Sequence, residues 1–204
     1  MLNVVELRQY TLVPGARDRF IERFERLYIA MQEDRGARLL GHFRDLDRPD
    51  HFVWMRGFED MEQRKDALTA IYTSDVWLAS RQEANADIID NDDVLQMTPF
   101  PFEAGAAAAK GPVSVLIAYL DAPDEAPAVL ADLALSVRAE GGKALAAYVT
   151  EPTPNSYPRL PVREGEEVAV LVARLPHEAP APQTIRERKI ERLRLDPAPQ
   201  SALR

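Results

Sequence analysis

Cysteine is absent from this 204-residue chain, and that absence removes disulfides, thiolate nucleophiles, iron–sulfur clusters and thiolate zinc sites together. Histidine is scarce, at three residues. No HxH, HxxxH or His–carboxylate grouping at ligand spacing appears, so a metal centre has no support. The nine glycines form no G-x-G-x-x-G, P-loop or G-x-S-x-G, which leaves dinucleotide, NTPase and serine-hydrolase readings without a motif. Positive charge is short as well: 25 Lys and Arg face 33 Asp and Glu, a net of −8, and most of the excess acid falls in the first half. No nucleic-acid partner is expected from such a balance. No apolar run approaches the roughly 20 residues that span a bilayer. The chain also enters strand pattern without a charged-then-apolar leader, so a cytoplasmic protein with no membrane contact is expected.

What is present is ordinary for a globular chain, 46% hydrophobic and 28% charged, and its length suits one large or two small domains. The organising stretch is residues 4–24, VVELRQYTLVPGARDRFIERF. Its first part alternates, with Val5, Leu7 and Thr11 on one side and Glu6, Arg8 and Tyr10 on the other. Pro14-Gly15 then breaks the strand. Phe20, Phe24, Leu27 and Met31 follow at spacings of four, three and four, one face of a helix lying back on that strand.

The pattern E-L-R-x-Y-x-L-x-P-G, carried by Glu6, Leu7, Arg8, Tyr10, Leu12, Pro14 and Gly15, resembles the opening of the NIPSNAP family. FVWMRGFEDMEQR from Phe52, then Trp77, Arg81, Ala84-Asn85 and DNDDVLQM, is similar to the rest of that domain. The tail LRLDPAPQSALR is similar to the family's ending, with Gln200 at a position more often basic. The resemblance covers residues 1–100 well and the remainder loosely. It implies a ferredoxin-like fold of the dimeric α/β-barrel superfamily, whose members include cofactor-free monooxygenases.

Along the chain, residues 38–46 and 50–58 read as strands joined by the tight turn Asp47-Arg48-Pro49-Asp50, hence an antiparallel hairpin. Residues 59–72 are helical in pattern, with Met61, Leu68 and Ile71 apolar. Ser74 caps a second helix over 75–89, its core face Trp77, Ala84 and Ile88. Residues 93–100 close the unit as a strand, giving the order β-α-β-β-α-β. The run PFEAGAAAAKGP at 101–112 reads as a linker. The order then repeats: a strand at 113–120, a helix at 124–140 ended by Gly141-Gly142, strands at 144–150 and 167–175, a short helix near 183–187 and a strand at 189–195. Two copies of one plan indicate an internal duplication. The fold class expected is therefore α+β, with two tandem ferredoxin-like units, 1–100 and 113–204, packed sheet to sheet as a dimeric α/β-barrel-type structure. The barrel closes within one chain or by pairing with a second copy as a homo-oligomer.

Assigned to the barrel interior, the first half offers Glu6, Arg8, Tyr10, His42, Arg44, Trp54 and Arg56. The second offers Val113, Val115, Ile117, Tyr119, Ala147, Val168, Val170 and Val172. A pocket would then draw its polar lining from the first half, with the second as a wall or lid. Glu6 and Arg8 pair structurally, or Arg8 and Arg56 hold an anionic or carbonyl ligand. Tyr10 is a hydroxyl donor or a core residue with a polar tip. His42 is a candidate general base or a packed histidine. Trp54 stacks on a planar ligand or fills core, and the acidic run at 87–93 lacks the glycine and terminal Glu of a calcium loop. Two functions remain. One is a small-molecule binder or cofactor-independent enzyme with a barrel pocket, catalytic His42 and Tyr10, ligand-binding Glu6, Arg8, Trp54 and Arg56, and no cofactor. The other is a non-catalytic interaction or scaffold protein, which predicts a filled barrel and an exposed apolar patch elsewhere. Hydrophobic residues plugging the barrel centre would sink the enzyme reading.

Overall fold

The computed structural model describes residues 1–102, 112–176, 182 and 184–203. Strand β1 (Val4–Leu12) runs through a turn into a continuous helical rod: α1 (Arg17–Arg23), a turn of π-helix (Phe24–Tyr28) and α2 (Ile29–Glu33). Strands β2 (Arg38–Asp45) and β3 (His51–Phe58) form the expected hairpin. Helix α3 (Met61–Tyr72) begins at Asp60, whose side chain accepts from the Gln63 amide, and α4 (Asp75–Ala86) begins at Ser74, which caps the Trp77 amide. Strand β4 (Ile88–Phe100) closes the first unit. The second contains β5 (Val113–Leu120), α5 (Ala126–Ala139), β6 (Lys143–Thr150), β7 (Glu167–Arg174), β8 (Thr184–Ile185) and β9 (Arg188–Pro197).

The first four strands lie in the order β2-β3-β1-β4 and the second set in the order β6-β7-β5-β9, the same plan twice. Two seams join them. Strand β4 pairs with β6 from Met97↔Thr150 to Phe100↔Ala147, and β2 pairs with β9 through Phe43↔Pro197, Arg44↔Asp196 and Asp45↔Leu195. The result is a closed eight-stranded antiparallel barrel made by one chain, with no exposed sheet edge between the halves.

Three elements depart from the sequence expectations. The helix expected over 75–89 ends at Ala86 and the strand expected from 93 starts at Ile88, so β4 takes up most of the acidic run at 87–93 through irregular register against Thr11 and Leu12. Asp87 is clamped by Arg19 and Arg23, at 2.6 Å each. The helix expected near 183–187 is a hairpin instead: β8 pairs with β9, and Arg186 and Glu187 both take positive φ, 51° and 66°, as a type I′ turn requires. Gln183 and most of the expected linker, residues 103–111, lie outside the described residues. The π-turn also inserts a phase shift, so the buried face of the first rod is Phe20, Ile21, Phe24, Tyr28 and Met31, with Tyr28 where Leu27 was expected.

The most consequential difference is the facing of the first sheet. The barrel interior is apolar on both sides: Val5, Leu7, Phe43, Val53, Met55, Leu95 and Met97 meet Val113, Val115, Ile117, Val168, Val170 and Val172. The second-half prediction therefore holds, apart from Ala147, which faces α5. In the first half the faces are exchanged. Glu6 and Arg56 bond Arg64 and Gln32 of the helical layer, Tyr10 and Trp54 pack with Phe20 and Phe24, and His42 lies on Phe24. Alternation divides a strand into two sets but does not say which set faces helices when both faces are buried. The barrel-pocket expectation fails here, because apolar side chains fill the barrel.

Candidate functional site

The polar face of the first sheet lies under α1–α4, and its register brings its charges together. In β1 and β3, Glu6 stands opposite Arg56, Arg8 opposite Trp54 and Tyr10 opposite Phe52. Helix α3 adds Arg64, on the same face as Leu68 and Ile71 at spacings of four and three. Glu6 thus accepts three cations: its Oε2 takes Arg8 Nη1 at 3.0 Å and Arg56 Nε at 2.7 Å, and its Oε1 takes Arg64 Nε at 2.7 Å. All four side chains are at most 1% exposed. Burial by itself would raise the Glu6 carboxyl, but Arg56, Arg8 and Arg64 outweigh it and hold the group far below the usual carboxylate range. Glu6 is therefore ionised at any physiological pH and unsuited to act as a base.

One carboxylate against three guanidiniums leaves a buried surplus of positive charge. The arginines use part of their remaining donor capacity on neutral groups: Arg8 Nε donates to the Tyr10 hydroxyl at 3.2 Å, and Arg56 Nη1 donates to Gln32 Oε1 at 2.8 Å. Among the described residues, Arg8 Nη2, Arg56 Nη2 and the Trp54 indole N–H are buried without a hydrogen-bond partner. Such groups are uncommon in folded proteins, and each calls for a structural or functional explanation. Arg8 and Arg56 also lie over the Trp54 ring, at 5.5 and 5.0 Å from its centre.

Beside this cluster a cavity of about 270 Å³ opens between sheet and helices. Tyr10, Trp54 and Arg56 form its floor, and Phe20, Phe24 and Tyr28 a wall. Its aromatic lining is held edge to face, with Tyr10–Trp54 centroids 5.9 Å apart at 88° and Phe24–Trp54 centroids 5.1 Å apart. Phe24 and Tyr28 bracket the π-helical turn, a local irregularity that often marks functional positions. Tyr72 and Gln32 add polar groups to the inner part of the lining, and burial raises the Tyr72 hydroxyl above its ordinary range.

Of the residues proposed from sequence, Tyr10, Trp54 and Arg56 line the cavity, while Glu6 and Arg8 stand behind it in the charge cluster. His42 is elsewhere. Its Nε2 lies 2.9 Å from Glu25 Oε1, which also accepts the Gln200 amide at 2.8 Å, and the His42 amide donates to Ser201 Oγ at 3.0 Å. That constellation fastens the C-terminal tail to the first rod. Arg64, Gln32 and Tyr72 escaped the sequence reading. Arg64 had a signal, an arginine on the apolar face of a helix; Gln32 and Tyr72 had none beyond their neighbours Met31 and Ile71.

Comparison with known proteins accords with this architecture. The family model NIPSNAP matches residues 5–104. A "putative monooxygenase" of Lactobacillus acidophilus superposes on 97% of this chain and 94% of its own, with TM-score 0.56 and 13% identity. Another of the same description, from Fusobacterium nucleatum, covers 96% and 92% at TM-score 0.56 and 9% identity. An uncharacterized NIPSNAP domain protein of Burkholderia xenovorans covers 48% of this chain and 96% of its own, at TM-score 0.45 and 18% identity. The two whole-chain likenesses establish a shared fold that includes both halves. No curated protein sequence matches the chain.

Proposed function

The chain belongs to the NIPSNAP family through residues 5–104, and on that premise we propose that it binds a small planar anion in the cavity between its first sheet and the covering helices. The observation that carries this reading is the three-to-one imbalance at Glu6, with unpartnered N–H groups on Arg56 and Trp54, both of which line the cavity. Burying uncompensated charge is costly. A ligand carboxylate, enolate or phenolate would offset that cost, and the edge-on aromatic wall suits a flat frame. In this reading Arg56 and Trp54 donate to the anionic oxygen, Tyr10 orients it, and Glu6 with Arg8 and Arg64 holds the donors in place.

The fold neighbours' description as monooxygenases supplies a reaction class to test. Without a cofactor, such a reaction draws its electrons from the ionised substrate, and the cluster would favour that form. The chemistry then rests on electrostatic stabilisation; neither Glu6, fixed as a carboxylate, nor His42, outside the cavity, is asked to take the proton. A second reading, a non-catalytic interaction protein, is favoured by the filled barrel. Among the described residues the large apolar side chains that reach solvent, Met1, Leu46, Val76, Leu78, Ile89 and Leu135, are distributed over the first residue, the β2–β3 turn, α4, β4 and α5 and give that reading less support.

Native mass spectrometry beside a denatured control separates the two. The expected result is a co-purified small organic acid in the native spectrum, its occupancy lowered about tenfold or more in Arg56→Gln, as loss of a charged hydrogen bond implies. Equal occupancy in the variant would contradict the assignment of Arg56.

A further inference from the structure

The cavity is not closed by the first half alone. The β6–β7 loop of the second half, residues 151–166, crosses the seam and delivers Arg159 and Leu160 to the lining. Its two ends are fastened to the edge of β4: the Glu151 amide donates to Gln96 O and the Arg163 amide to Val94 O, both at 2.9 Å, and Gln96 Nε2 donates to Thr153 O at 3.1 Å. Its middle is held by the charge cluster itself, since Arg64 Nη1 donates to Asn155 Oδ1 at 3.0 Å and to Ser156 Oγ at 3.1 Å. Tyr157 stacks on Tyr72 with centroids 5.9 Å apart at 17°, and Leu160 is buried in the first-half core. The guanidinium that anchors Glu6 therefore also anchors the loop.

Exposure grades along the lining from Arg56, at 1%, to Arg159, Asn85 and Asn91 at the open side, of which Arg159 and Asn85 are exposed. Among the described residues Arg159 makes no ion pair, whereas its loop neighbour Arg163 is engaged by Asp93 and Glu166. An uncommitted cation at the mouth, facing a cavity with a cationic floor, has a direct chemical meaning. We propose that the 151–166 loop is a specificity lid and that Arg159 recognises a second acidic group, so the preferred ligand is a planar molecule acidic at both ends. This rests on the anion-binding reading above and narrows its ligand to a dianion. It also gives the second half, whose barrel face is plain apolar core, a part in recognition.

Isothermal titration of the intact protein with benzoate and with terephthalate tests the inference, since the two share a ring and one carboxylate and differ by the second. The wild type is expected to bind terephthalate about fivefold more tightly, the range open to a solvent-screened ion pair. In Arg159→Ala the preference should vanish with benzoate affinity unchanged, and Arg159→Lys should retain part of it. A preference that survives Arg159→Ala, or equal affinities in the wild type, would overturn the role of Arg159 while leaving the cavity reading intact. Failure of both acids to bind would overturn both.

Discussion

Glu6→Gln is expected to lower stability by about 3–5 kcal/mol, the cost of removing the one partner that compensates a buried charge. The glutamine matches the carboxylate in shape, so the loss is electrostatic: Arg8, Arg56 and Arg64 would be left facing one another without an anion. For a chain of this length each kcal/mol shifts the midpoint by about 2–4 °C, so thermal denaturation should show a fall on the order of 6–20 °C. The opposite substitution has the opposite logic. Arg8→Met removes one of the surplus cations and is expected to cost far less, although it gives up the bond to Tyr10. The same group sets an acid limb. Because the folded carboxyl lies far below its unfolded value near 4.3, the stability it contributes is complete above that value and is lost as pH falls through the acid range toward the folded pKa. Asp87, depressed against burial by Arg19 and Arg23, adds to the limb with the same sign. Equal stability of Glu6→Gln and wild type at neutral pH would show that the three guanidiniums are not confined together.

Phe43→Ala carries the second large effect, a loss of about 3–5 kcal/mol. Phe43 is fully buried, belongs to the barrel core shared by both halves, and pairs with Pro197 across the seam. It is wedged against its own strand as well, since a Cβ placed on Gly41 would meet the Phe43 ring at 2.5 Å. The cavity left by alanine cannot collapse easily in a closed barrel, which puts the expectation at the upper end. The form of the transition is also informative. One interior served by strands from both halves should unfold in a single step, and urea titration should show one transition displaced as a whole. Two transitions, with only one displaced, would mean that the halves stand separately.

The sequence carried the architecture well because it is written in local signals. The strand-turn-helix opening, the Ser74 cap and the Gly141 helix stop are short-range features, and the duplication needs only their order. The β8 hairpin was missed because proline-rich surroundings hid a two-residue strand, and because its turn uses Arg186 and Glu187 where glycine or asparagine would have announced it. The site was half legible. Glu6, Arg8, Tyr10, Trp54 and Arg56 are recognisable as a polar set on one strand face, but alternation could not orient that face toward the helices. A physical cue was available: the aromatic stripe of Phe20 and Phe24 calls for a surface that can accept rings, and Tyr10 and Trp54 supply it. The contributions of Arg64 and of the 151–166 loop depend on contacts 58 and 91 positions apart, Arg64 to Glu6 and to Asn155, which no local pattern encodes.

The most direct test of the central claim, that the cationic cluster and its cavity receive a planar anion, is the thermal midpoint in the presence of salicylate against salicylamide. The pair has nearly one shape and differs in charge. At ligand concentrations near 100 Kd, binding stabilises by about 2.7 kcal/mol, or roughly 5–11 °C here. Salicylate is predicted to raise the midpoint by that order, salicylamide to leave it unchanged, and Arg56→Gln to cut the difference by about half or more. Equal shifts with the acid and the amide, or a salicylate shift undiminished in Arg56→Gln, would contradict the account.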